Sequence, residues 1–69
     1  MASSNVGIAL DHSKISCAMA NNGLGLKELA ERMEMSKAGV YSLLKKDSVR
    51  PKAAGKIANA LNCKVEDLI

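Results

Sequence analysis

Apolar residues recur every three or four places through four stretches of this 69-residue chain, the spacing that lines one face of an α-helix. The first stretch carries Ile15, Ala18 and Met19, with Asp11 or Ser13 placed to cap it. "NNG" closes it, since Gly23 suits the left-handed position past a helix end. Leu24 fills the connection. The second begins after Gly25, with Leu26, Leu29, Ala30 and Met33 inward and Lys27, Glu28, Glu31 and Arg32 outward. Glu28 can supply its half of a capping box, and the helix stops at "EMS". Ser36 caps the third, which is expected to run to about Lys46. Val40, Leu43 and Leu44 share one side of it, while Lys37, Ala38, Tyr41, Ser42 and Lys45 share the other. "DSVRP" is a loop, because Pro51 disfavours helix at Arg50. The fourth helix, from about Lys52 to Leu61, turns Ala54, Ile57, Ala58 and Leu61 inward. A last helical turn, "VEDLI", folds Val65 and Leu68 back on the core. Residues 1–10 are expected to be a flexible arm, and 11–69 a single all-α domain.

Composition strengthens the helical expectation. Tyr41 is the only aromatic residue, so the core must come from Leu, Ile, Val, Met and Ala, a palette that suits packed helices better than strands. It also sets a question, because the helical spacing turns that one large ring outward among lysines.

Charge is concentrated. The net charge is +3, yet residues 37–56 alone hold Lys37, Lys45, Lys46, Arg50, Lys52 and Lys56 against Asp47. That segment is net +5 and the rest of the chain net −2. A basic pole on an otherwise acidic protein points to a polyanionic partner.

Other chemistries find little support. Cys17 and Cys63 show no CxxC spacing and are expected to be reduced, small core residues. His12 is the sole imidazole, so no four-ligand metal site is expected, nor any cofactor. No Ser or Cys has a matching base and no carboxylates are paired for catalysis, so an enzyme is not expected. "VGIAL" is too short for a signal segment and lacks a basic flank, no stretch is long enough to span a membrane, and a cytoplasmic location is expected.

Two short helices joined by a three-residue turn, the second with a polar face, make a helix-turn-helix. Ala30 supplies the small residue needed at the crossing, and Leu29, Met33, Met35, Val40 and Leu43 are expected to plug it. The second helix is then free to enter a DNA major groove about 12 Å wide.

The stretches "GLGLKELAERMEMSKAGVYSLLKK", "VRP" and "KIANALNCKVEDLI" resemble the small Cro/lambda-repressor-like (XRE-type) DNA-binding domains of phages and bacteria. The resemblance runs from about residue 11 to 69 and implies five helices, the second and third forming the DNA-binding unit. Three positions depart from the family pattern. Glu34 stands where relatives usually have Gly, so either it takes positive φ at a cost of about 1 kcal/mol or the turn is reshaped. Leu26 stands where many relatives place a DNA-contacting Gln. Met19 and Leu44 replace an Arg–Glu pair found in some relatives, which implies that the two apolar side chains pack together.

The family position of the third helix implies base contacts from Lys37, Ala38, Tyr41 and Ser42. Lysine can donate to guanine O6 and N7, and the tyrosine ring can meet a thymine methyl. The competing possibilities are a Tyr41 half-buried at the domain edge and an idle Ser42 hydroxyl. Close approach to DNA would account for Gly39, which lowers helix stability by about 1 kcal/mol relative to Ala. Lys27, Ser36, Lys45, Lys46, Arg50 and Lys52 are the expected phosphate contacts, and His12 is given no role. By resemblance, Arg50, Ala53, Val65 and Leu68 lie at a dimer contact. The implied function is a sequence-specific transcriptional regulator, a phage- or mobile-element-type repressor bound as a homodimer to a palindromic double-stranded operator. Two alternatives stay open: a protein-interaction module on the same fold, such as an antirepressor or antitoxin, and the N-terminal piece of a longer repressor.

Overall fold

The computed structural model describes residues 7–69, in the order α1 (His12–Asn21), α2 (Leu26–Met33), α3 (Lys37–Leu44), α4 (Pro51–Ala60) and a 3-10 turn (Val65–Leu68). Residues 1–6 of the expected arm lie outside the described residues. Each α-helix begins where local chemistry satisfies its first N–H groups. Asp11 Oδ1 accepts from the Ser13 and Lys14 amides at 2.8 and 3.3 Å, and Ser36 Oγ accepts from the Gly39 amide at 3.0 Å. At α2 the Glu28 carboxylate reaches back to the Gly25 amide at 2.9 Å. A Cβ at Gly25 would stand 2.8 Å from that Oε1, so a larger residue there would make the Glu28 side chain shift, the φ of −92° being ordinary. Pro51 opens α4, where its missing N–H costs nothing.

Three helices end alike. A residue just past each takes a left-handed conformation, Gly23 at φ 65°, Glu34 at 56° and Asn62 at 56°. The next amide then bonds back across the turn, Leu24 to Met19 at 2.8 Å, Met35 to Ala30 at 3.0 Å and Cys63 to Ala58 at 3.0 Å.

Leu29, Val40, Ile57, Leu61 and Leu68 are the largest fully buried side chains, and Ile15, Ala30, Met33, Ala58 and Ala60 close the core around them. Polar side chains fasten the helices at its edges. Asn22 Nδ2 donates to the carbonyls of Ala18 and Leu61, both at 2.8 Å, and Arg32 Nη1 donates to the Ala60 carbonyl at 3.1 Å. These bonds tie the ends of α1 and α2 to the end of α4.

Several expectations need correction. The fifth helix is a single 3-10 turn: Asn62 breaks the chain direction, and the four residues after Lys64 are too few for an α-helical ladder. Val49, read as loop, is buried, and it exchanges backbone hydrogen bonds with Ile8 at 2.7 and 2.9 Å in an isolated antiparallel bridge. With the Asp11 amide bonded to the Leu68 carbonyl at 2.6 Å, this ties residues 8–11 to the domain. Cys17 is exposed on α1 and is not a core residue, whereas Cys63 is half-buried and packs against the core. Met35 is exposed and does not plug the α2–α3 crossing. No helix among the described residues is long and apolar enough to cross a membrane.

Candidate nucleic-acid interface

Glu34 determines how α3 leaves α2. Its left-handed backbone lets the Glu34 and Met35 amides bond the Glu31 and Ala30 carbonyls at 3.1 and 3.0 Å, the hydrogen-bond pattern a glycine would give. The turn is therefore kept rather than reshaped, and the Cβ strain of about 1 kcal/mol is borne by the fold. Ala30, buried at 3% exposure, is the small residue in the α2 stripe beneath it.

α3 has two unlike sides. Val40 is fully buried and Leu43 and Leu44 half-buried, while Lys37, Ala38, Tyr41 and Ser42 are exposed. Tyr41 is 55% exposed, and its covered part lines the groove it shares with Ile15, Met19 and Leu44. Lys45 sits one turn along, with Nζ 5.2 Å from the ring centroid, in range for a cation–π contact. Gly39 has a local cause: a Cβ there would meet Ser36 Oγ at 3.1 Å and Met35 Cε at 3.4 Å. The glycine makes room for the helix cap, and no close approach to a ligand is needed to explain it.

Lys27, Ser36, Lys45, Lys46, Arg50 and Lys52 are all exposed. Ser36 accepts a capping hydrogen bond through its oxygen, which leaves its hydroxyl hydrogen able to donate elsewhere. Leu26, at the start of α2, is half-buried against the core and has no polar group to offer DNA.

Met19 and Leu44 line one small groove of about 210 Å³ between α1 and α3, together with Ile15, Tyr41 and Lys45. The same groove brings in His12 and Ser16. Nothing in the spacing of residues marks His12, and only the fold places its imidazole on the groove that Tyr41 also lines. The expected dimer set divides. Arg50 and Ala53 line a second groove, Val65 is half-buried, and Leu68 is 1% exposed inside the protomer. Leu68 is therefore withdrawn as a contact residue, because its side chain is spent on the core.

Away from this face, burial and then the nearby Asp67 carboxylate push the Cys63 thiol above its ordinary value, which favours the neutral thiol. Among the described residues, no three His, Cys, Asp or Glu side chains gather as metal ligands would.

Residues 14–69 match the family described as the Cro/C1-type HTH DNA-binding domain. No curated protein and no solved structure matches the chain.

Proposed function

The chain belongs to the Cro/C1-type helix-turn-helix (HTH) DNA-binding domain family, and we propose that it is a sequence-specific transcriptional repressor that lays α3 in the major groove of duplex DNA. The observation that carries this is Tyr41, a residue over half exposed with its ring beside Lys45, on a helix anchored by the buried Val40. A large ring left in water beside a cation suits a base edge and a thymine methyl better than it suits an idle surface.

In this reading Lys37, Ala38, Tyr41 and Ser42 meet bases, and Lys27, Ser36, Lys45, Lys46, Arg50 and Lys52 meet phosphates. Two protomers occupy the halves of a palindromic operator, in the cytoplasm. Val65 is the half-buried apolar residue retained for contact between them. Arg50 and Ala53 are not retained, because the groove they line is ringed by cations that would face their own copies.

Selection of bound sites from random duplexes, followed by gel-shift titration at several salt concentrations, tests the proposal. Enrichment of a palindromic sequence, with affinity falling steeply as salt rises, is the expected result. No enrichment, or a shift insensitive to salt, would end it.

A further inference from the structure

Met35, Leu43, Arg50, Lys52, Ala53 and Lys56 line a groove of about 260 Å³ where α3 and the start of α4 meet. Its apolar part is unusual for a DNA-binding surface. Leu43 and Ala53 are half-buried, and Met35 lies at the groove with 36% of its surface accessible. Leu43 is two residues from Tyr41, about 200° around the helix, so on α3 the groove is lined from the side opposite that ring. Around the apolar residues stand three exposed cations, Arg50, Lys52 and Lys56. Lys52 and Lys56 are four apart and share a face of α4. Among the described residues, no acidic side chain lines the groove.

Three occupants can be compared. Phosphates would satisfy the cations and leave the methionine and leucine in water. A second copy would match the apolar surface, yet a two-fold contact sets this patch against itself and opposes its cations. An amphipathic helix with bulky apolar side chains one turn apart and Asp or Glu on either side satisfies both halves at once. An exposed methionine is also the side chain that best adapts its shape to such an insert.

We propose that this groove docks an acidic amphipathic helix of a partner protein, and that docking competes with DNA for Arg50 and Lys52. The competition rests on the DNA-binding proposal above; the docking does not.

The test is a methyl-detected NMR titration of the full chain with three synthetic capped peptides. One is a helix with leucines four apart among glutamates, the second has those leucines replaced by alanine, and the third has the glutamates replaced by lysine. The first peptide is expected to shift the Met35, Leu43 and Ala53 methyls, and to bind about tenfold or more tightly than either of the others. Lys56→Glu, an exposed change outside the DNA-contact set, is expected to weaken the first peptide and spare the fold. Equal binding of the leucine and alanine peptides, or shifts confined to other faces, overturns the docking site. So does movement of the groove methyls with chain concentration alone, which would make a second copy the occupant. A labelled random duplex at low salt reads the second half of the proposal. Its displacement by the first peptide supports competition, and simultaneous binding of both overturns it. Groove binding by the peptide when no duplex binds upholds the docking site and removes the DNA-binding proposal instead.

Discussion

Lys45 holds its ammonium 5.2 Å from the centre of the Tyr41 ring, one turn further along α3 on the exposed side. The contact keeps a positive charge beside a ring whose other side lines the groove with Ile15, Met19 and Leu44. Removing either partner should barely affect folding, by less than about 1 kcal/mol in chemical denaturation. The two changes should differ on DNA. Lys45→Ala is expected to reduce the log–log salt slope by about 0.9, the signature of one lost phosphate. Tyr41→Ala is expected to leave that slope alone while narrowing the difference between selected and random duplexes. Equal effects of both changes on slope and selectivity would contradict separate roles.

Glu34 in the left-handed region gives a stability prediction. Glu34→Gly is expected to stabilise the domain by about 1 kcal/mol, read as a higher urea midpoint with unchanged slope. Asn62→Gly should gain less, since asparagine tolerates that conformation better. A loss of stability in Glu34→Gly would mean the glutamate side chain contributes something its backbone strain conceals.

Two glycines separate room from conformation. A Cβ on Gly55 in α4 would project into open space, so Gly55→Ala is expected to stabilise by about 0.8–1 kcal/mol. Gly39→Ala should gain little or nothing, because its methyl would press on the Ser36 hydroxyl that caps α3. Ser36→Ala alone should cost about 1 kcal/mol. In that background Gly39→Ala should become favourable, a coupling a double-mutant cycle measures. Additive behaviour would show that the crowding does not matter.

The helices are legible in the sequence because each repeats its apolar residues at helical spacing and carries its own cap chemistry. Asp11, Ser36 and Glu28 act at the ends where the sequence puts them, and Pro51, read as the last loop residue, is the first residue of α4. The Ile8–Val49 bridge is not legible, since one pair of residues across a loop has no periodicity to read. For Cys17 a signal does exist that the core expectation overlooks: it lies two residues from Ile15, about 200° around the helix, and that spacing alone turns it outward. The dimer role of Leu68 comes from resemblance, whereas in a 3-10 turn Leu68 stacks one full turn from Val65 and completes the core. The grooves are invisible in the chain because their walls come from distant segments, as with Met35 and Lys56.

The cysteines carry a pH prediction. Exposed Cys17 should react with iodoacetamide faster than Cys63, whose thiol is held above its ordinary value by burial and by Asp67. Folding favours the protonated Cys63, so its contribution is complete below the unfolded thiol value and is lost as pH rises through the higher folded one. Mass-resolved alkylation against pH checks both statements, and equal rates at neutral pH would contradict them.

Everything turns on which surface meets the nucleobases. Amide NMR of the chain titrated with its selected duplex decides this most directly. The largest shifts are expected at Lys37, Ala38, Tyr41 and Ser42, with smaller ones at the flanking lysines. A duplex that binds sequence-specifically while leaving the α3 amides unmoved would contradict a helix seated in the major groove.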